Sequence, residues 1–218
     1  MTAKLLDFEQ GTYEWLVARI PYITASDVAK VMAGGKGVTR HNYMVKKLCE
    51  RLNNEPVQGY KSNHMQNGND NEPIARQIYE VIRKVQVTTS GFWYLEDERI
   101  GASLDGDILE SDGYIEIKTV ISPEQVRLIT TGQIKPEYIK QMQTQMYVKG
   151  KQWCDYCSYS PGDDEYGRLP EKYQFKIIRV YRDEEMIQRI RKECAFFHHE
   201  LDALLERFGY EQPVTSNT

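Results

Sequence analysis

The chain changes its hydrophobic period along its length. In the first third, apolar positions recur every three to four residues, the spacing of helices with one buried face. Residues 8–17 carry a short run of this kind. Residues 27–33 predict a second helix, with Thr24 or Ser26 as N-cap and Gly34 and Gly35 as its stop. A third is predicted over 39–52, after which 53–68 are polar and irregular. A fourth starts near Asp70 or Asn71 with Pro73 in its first turn, and the spacing turns Ile74, Ile78, Val81, Ile82 and Val85 inward.

The middle third alternates with period two. Residues 85–89, 93–95, 100–109 and 114–120 read as strands, broken by Gly91, Asp97 and the turn Ser111-Asp112-Gly113. Helices are predicted over 123–130 and 136–148, strands over 153–159 and 173–181, and a long amphipathic helix over 183–208. The tail, 211–218, is polar and expected to fray. This order predicts an α/β (α+β) fold, a mixed central sheet with helices on both faces. The expected organisation is one domain over 1–210. It has a helical part to about 84, a sheet core over about 85–182 and a closing helix.

Composition narrows the class. The 218 residues suffice for one core, and 40% hydrophobic with 28% charged residues indicates a globular chain. No run approaches the roughly 20 apolar residues of a membrane span. Asp7 and Glu9 come too early for a signal peptide, so a cytoplasmic protein is expected. A net charge of -4 excludes a wholly basic coat but leaves room for a basic groove. Cys49, Cys154, Cys157 and Cys194 are too sparse for a disulfide scaffold. Cys154 and Cys157 with Cys194 and His198 are the one tempting zinc set. The strand-like flanks Trp153, Tyr156 and Tyr159 favour packing thiols instead.

The chemistry concentrates in Ser103-Leu104-Asp105-Gly106-Asp107 and Tyr114-Ile115-Glu116-Ile117-Lys118. On a strand Glu116 and Lys118 share one face, while Ile115 and Ile117 take the other. The Ser111-Asp112-Gly113 turn folds this strand back so that Asp105 lies beside Glu116. Paired carboxylates repel unless a cation neutralises them, and their oxygens suit Mg²⁺ or Mn²⁺. A neighbouring lysine can hold or activate an attacking water. The plainer reading is a surface hairpin with a cross-strand Glu–Lys pair.

Asp105, Glu116 and Lys118 together resemble the D…E-x-K signature of the PD-(D/E)xK nucleases, with Leu104 where a proline is usual. Further segments are similar to the phage lambda exonuclease, or YqaJ-type viral recombinase, family. They are Trp15-x3-Arg19 with Ile23-Thr24-Ala25-Ser26, Gly68-x3-Glu72-x3-Arg76, and Tyr138-x2-Gln141-x-Gln143-x2-Met146. The resemblance implies a PD-(D/E)xK restriction-endonuclease-like core and 5′→3′ digestion of linear double-stranded DNA to mononucleotides, leaving 3′ overhangs. It also implies two Mg²⁺ ions, replaceable by Mn²⁺, a homotrimeric ring around DNA ends and a single-strand-annealing recombinase as partner. By the same resemblance Asp105, Glu116, the Ile117 carbonyl and Glu72 hold metal, Lys118 handles the water and Gln141 supports the site. Arg19, Ser26 and Ser103 would bind the 5′-phosphate, and Met65 would split the end base pair. Residue by residue, Glu72 also reads as an acid favouring a helix N-terminus, and Gln141 as a solvated helix position. His64 lies where RecB-like nucleases place a metal-binding histidine, and reads here as a surface residue. The alternatives are a structure-specific endonuclease or resolvase on the same fold, and a non-catalytic DNA-end-binding module.

Overall fold

The computed structural model describes residues 2–34, 38–57, 63–162 and 164–210, without the side chains of 63–69. His64 and Met65, as side chains, and the tail 211–218 lie outside the described residues. In chain order the elements are β1 (Lys4–Leu6), α1 (Tyr13–Ala18), β2 (Ile23–Thr24), a 3-10 turn (Ala25–Asp27), α2 (Val28–Val31), α3 (Val38–Asn53) and α4 (Asn63–Arg83). Then follow β3 (Val87–Thr88), β4 (Phe92–Leu95), β5 (Ile100–Ala102), β6 (Gly106–Ile108), β7 (Gly113–Thr119), α5 (Ser122–Thr131) and α6 (Pro136–Lys149). The chain ends with β8 (Trp153–Tyr159), α7 (Glu171–Gln174), β9 (Phe175–Tyr181) and α8 (Glu184–Arg207).

The strands form two mixed sheets rather than one. The smaller has the order β1-β4-β5-β2, the larger β3-β6-β7-β8-β9. In the larger, β7 and β8 run parallel, from Gly113↔Trp153 to Thr119↔Tyr159. A parallel pair needs a crossover, and α5 and α6 supply it. Gly132 and Gly150 end these helices in the left-handed conformation, at φ 67° and 70°, which costs glycine little. Helices cover both faces of the larger sheet. On the α4 side the core gathers Ala75, Tyr79, Ile108, Ile115, Ile117 and Cys157. On the α6 side it gathers Leu104, Tyr114, Met142, Met146, Cys154 and Tyr156. A third cluster joins α8, through Ile190, Cys194, Phe197, Leu201 and Leu205, to α2, α3 and the smaller sheet.

Several sequence expectations need correction. The run 100–109 is two strands in different sheets, because the chain bends at Ser103–Asp105. Helix α4 starts at Asn63, so Pro73 is interior to it. Ala75 and Tyr79 are its buried residues, and Ile78 and Val85 pack against the same cluster as expected, while Ile74, Val81 and Ile82 are exposed. The turn of helix at α7 opens what read as strand from 173. In the N-terminal run, helix begins only at Tyr13, with the Thr12 hydroxyl accepting from the Trp15 N–H at 3.3 Å. Strand β1, unforeseen, pairs antiparallel with β4.

Cys154 and Cys157 occupy opposite faces of β8, in different core clusters, and Cys194 lies in the third. An i, i+3 pair on a strand cannot converge on one ion. All three thiols are buried and held above their usual range by burial, Cys194 to about 12. Cys49 alone among the cysteines is exposed.

His198, on α8, is 3% exposed. Its Nε2 lies 3.1 Å from the Arg99 carbonyl, so this nitrogen carries the proton of the neutral ring. Burial, then the Arg99 charge, pull its pKa down to about 4, with Asp202 opposing and Lys47 reinforcing. The unfolded chain takes up this proton near 6.5, the folded one only near 4. Stability is therefore lost as pH falls through that window, by up to about 3 kcal/mol. The expected result is a urea midpoint that drops between pH 7 and pH 4 for the wild type. His198→Gln should flatten that slope; an unchanged slope would count against the assignment.

Candidate active site

The site is built on β7, whose residues alternate between two helix-covered faces. Ile115 and Ile117 point to α4, as the pattern predicts, and Tyr114 points to α6. Glu116, on the same face as Tyr114, is 0% exposed. A buried carboxylate is costly unless paired and hydrogen-bonded. Here Oε1 accepts from Lys118 Nζ at 2.6 Å and from Gln141 Nε2 at 2.6 Å. Oε2 accepts from Gln145 Nε2 at 2.6 Å. Lys118 in turn lies over the Tyr138 ring, 5.2 Å from its centroid. Burial works against the Lys118 charge, but Glu116 and Asp105 outweigh it and hold the ammonium above its ordinary pKa.

Asp105 comes from the bend between β5 and β6. Its Oδ2 accepts the Ile117 N–H at 2.7 Å, which fixes it against β7 beside Glu116. Burial, then the Glu116 charge, push its carboxyl well above the usual range, although Lys118 opposes them. The following glycine makes the approach possible. A Cβ on Gly106 would lie 2.2 Å from Val87 Cγ1 and 2.9 Å from Ile115 Cγ1. Leu104, between Ser103 and Asp105, is anchored in the core below α6.

Helix α4 brings the third acid. Glu72 and Arg76 are one turn apart and paired at 2.5 Å, and Arg76 Nε donates to the Asp105 carbonyl at 2.9 Å. Burial raises the Glu72 pKa, Arg76 counters it and Glu116 adds to it. Further along α4 the Tyr79 hydroxyl donates to Asp155 Oδ2 at 2.9 Å. Asp155 is fully buried and also accepts two bonds from Arg179, at 2.8 and 3.0 Å. These polar contacts set the rotation of α4 and so aim Glu72 at the site.

Asp105, Glu116, Lys118, Gln141 and Glu72 are thus brought together. Among the described residues no group of three or more His, Cys, Asp or Glu side chains is gathered tightly enough to cage a metal. The donor chemistry nonetheless suits a hard divalent cation. Carboxylate oxygens and the Ile117 carbonyl are the available donors, and a cation would offset both the burial and the Glu116 charge that raise Asp105 and Glu72.

Among the described residues no hydrogen bond joins Arg19, Ser26 and Ser103 to one another. The parallel ladder Ile23↔Ile100 and Thr24↔Gly101 ends before Ser26 and Ser103, each two residues past its strand's last paired residue. Neither stands quite as the sequence suggests. Ser103 lies in the bend and not on a strand, with a buried hydroxyl lacking a described partner. Ser26 sits inside the 3-10 turn, 3.1 Å from the Thr24 hydroxyl, and caps nothing. The helix after it has four residues, too short to present an appreciable dipole. Arg19 is stacked on Trp15, 3.7 Å from the ring centroid, and on Phe92 at 5.3 Å. Its buried Nε also lacks a described partner. Burial pulls its pKa down to about 10, so it stays charged at neutral pH.

Sequence reasoning missed what Arg76, Tyr114 and Gln145 do. Gln145 was detectable, since it follows Gln141 by four residues and shares its helix face. The Arg76 bond to a backbone carbonyl left no such sign.

The sequence profile of the YqaJ-like viral recombinase domain matches residues 14–152. An alkaline exonuclease from Laribacter hongkongensis, LHK-Exo, has 39% identity and a TM-score of 0.82, covering 91% of this chain and 96% of that one. The same exonuclease in complex with dAMP gives a TM-score of 0.79, covering 90% and 96%. A phage-related exonuclease from Haemophilus somnus 129PT shares the fold at 15% identity, with a TM-score of 0.68 and coverage of 86% and 96%. No curated protein matches the chain.

A site that stores charge repulsion sacrifices stability for chemistry. Asp105→Asn keeps an oxygen for the Ile117 N–H and removes a crowded charge. Without divalent ions, this variant should unfold at higher temperature than wild type, by at least about 1 kcal/mol of added stability. A lower midpoint in thermal unfolding would show that Asp105 is not strained by its neighbours.

Proposed function

The chain belongs to the YqaJ-like viral recombinase family, and from that premise we propose that it is a divalent-metal-dependent 5′→3′ exonuclease. It digests linear double-stranded DNA to mononucleotides and leaves 3′ single-stranded overhangs. The observation that carries the reading is the buried Glu116 carboxylate, held by Lys118 and Gln141 with Asp105 alongside. LHK-Exo, 39% identical, is an alkaline exonuclease whose structure is known with dAMP, a mononucleotide of the kind such a reaction releases.

In this reading Asp105, Glu116, the Ile117 carbonyl and Glu72 hold one or two Mg²⁺ ions, for which Mn²⁺ can stand in. When bound, such ions lower the pKa of water and neutralise charge developing on phosphate. Lys118, held as an ammonium, positions the attacking water and offsets negative charge at the phosphorus. A residue held protonated is a poor base, so positioning is its main part. Gln141 keeps Glu116 in place. Water adds to phosphorus and the bond to the 3′ oxygen breaks. The nucleotide leaves with its 5′-phosphate, and the shortened strand keeps a new 5′-phosphate. Arg19, Ser26 and Ser103 receive that terminal phosphate. The unpartnered Arg19 Nε and Ser103 hydroxyl support this, since both are buried donors awaiting an acceptor. Met65 serves as the wedge at the end base pair. DNA as substrate puts the enzyme in the cytoplasm of a bacterial or phage-infected cell, with an annealing recombinase taking the exposed strand. The exposed Ile74, Val81 and Ile82 on α4 provide apolar surface for the neighbouring subunit of a homotrimer.

The decisive assay offers 5′-phosphorylated linear duplex, closed circular duplex and single strand, each with Mg²⁺ or EDTA. Linear duplex should be consumed from its 5′ ends only with Mg²⁺. Cutting of the circle would favour an endonuclease, and end binding without cleavage a binding module. Glu116→Gln and Lys118→Met should each lose at least about 10²-fold in rate. Initiation should be faster on 5′-phosphate than on 5′-hydroxyl ends. Arg19→Ala should lose about 1.5–3 kcal/mol of that preference. A variant that keeps the full preference would remove Arg19 from the phosphate pocket.

A further inference from the structure

Gln145 sits on α6 one turn beyond Gln141 and is completely buried. Its amide makes three bonds, all into the site. Nε2 donates to Glu116 Oε2 at 2.6 Å and to the Ser103 carbonyl at 3.0 Å. Oε1 lies 3.0 Å from the Tyr114 hydroxyl, a potential donor that also has the Met142 carbonyl at 2.9 Å. The orientation of the amide is therefore determined chemically. Both neighbours of Nε2 can only accept, and Oε1 can only face a donor.

The two carboxylate oxygens of Glu116 are unequally served. Oε1 has an ammonium and an amide, whereas Gln145 is the described donor to Oε2. Without Gln145, only the bonds to Oε1 would oppose rotation of the carboxylate about its terminal bond. The second Nε2 bond reaches Ser103, two residues before Asp105, in the bend that carries both. One amide thus spans the acid of β7 and the backbone that presents the other acid.

We propose that Gln145 is a positioning residue that fixes the plane of the Glu116 carboxylate and its separation from Asp105, and so presets the pair for a divalent cation. This rests on the metal-site reading above. Partners of metal ligands commonly change metal affinity 10- to 100-fold when removed. A glutamine that only filled space and satisfied buried atoms would affect stability alone.

The test uses the full chain stripped of metal, with Mn²⁺ as the probe in isothermal titration. Gln145→Met keeps the length and apolar packing beside Met142 and Met146 but removes both donors. It should bind Mn²⁺ at least about 10-fold more weakly than wild type. On linear duplex its kcat should fall at saturating DNA, with KM within about two-fold. Tyr114→Phe preserves the packing and frees Gln145 Oε1 without touching the Nε2 bonds. It should weaken Mn²⁺ binding by a smaller factor, about three-fold, and it remains informative if Gln145→Met fails to fold. Wild-type Mn²⁺ affinity in either folded variant, whatever its melting temperature, would overturn the positioning role. Glu116→Gln separates this outcome from failure of the parent reading. If wild type and Glu116→Gln bind Mn²⁺ alike, the metal site itself is misplaced. If only Glu116→Gln loses binding, the site stands and Gln145 is excluded.

Discussion

Burying the charge of Glu116 is the constraint from which the rest of the site follows. A carboxylate removed from water at the centre of a sheet costs several kcal/mol unless neighbours replace its hydration. The strand itself supplies one partner, because Lys118 is two residues on and shares the face. The other partners must come from outside the sheet, and they come from one helix. Gln141 and Gln145 stand a turn apart on α6, so a single helix face delivers both amides. That requirement fixes α6 over this face of β7, and the parallel β7–β8 crossover puts it there.

The second acid depends on the bend at Ser103–Asp105. Strands β5 and β6 belong to different sheets, and these three residues carry the chain between them. Carbonyls in such a bend lose their ladder partners. Here Ser103 is taken by Gln145 of α6 and Asp105 by Arg76 of α4. Helices from opposite faces of the larger sheet thereby grip the same short segment. Gly106 lets the bend close on Val87 and Ile115, which no side chain there would permit.

Much of this was legible in the sequence wherever it depended on near neighbours. The alternation Ile115, Glu116, Ile117, Lys118 gave the strand, its two faces and the shared face of acid and lysine. The turn at Ser111-Asp112-Gly113 placed Asp105 opposite. Helix α8 was visible, although Asp183 proves to be its cap rather than its first residue, accepting from the Met186 N–H at 3.0 Å. Longer-range choices were not legible. Strand β1 exists because β4, nearly 90 residues away, offers an edge. The phase of α4 was read correctly at Ile78 and Val85 and wrongly at Ile74, Val81 and Ile82, because polar bonds orient it. Tyr79 to Asp155 and Arg76 to Asp105 outweigh the exposure of Ile74, Val81 and Ile82. The bend at Ser103–Asp105 follows from strand partnerships that no local period encodes. Similarly, Ser26 follows β2 into a 3-10 turn where its neighbours had suggested a cap.

The placement of the thiols has a practical side. Cys154, Cys157 and Cys194 lie inside the three core clusters, and burial keeps each protonated at neutral pH, where a thiol reacts slowly. Cys49 is exposed on α3, outside those clusters. The native chain thus carries a single accessible attachment point for a maleimide dye. Fluorophores could be introduced stoichiometrically with every natural residue retained.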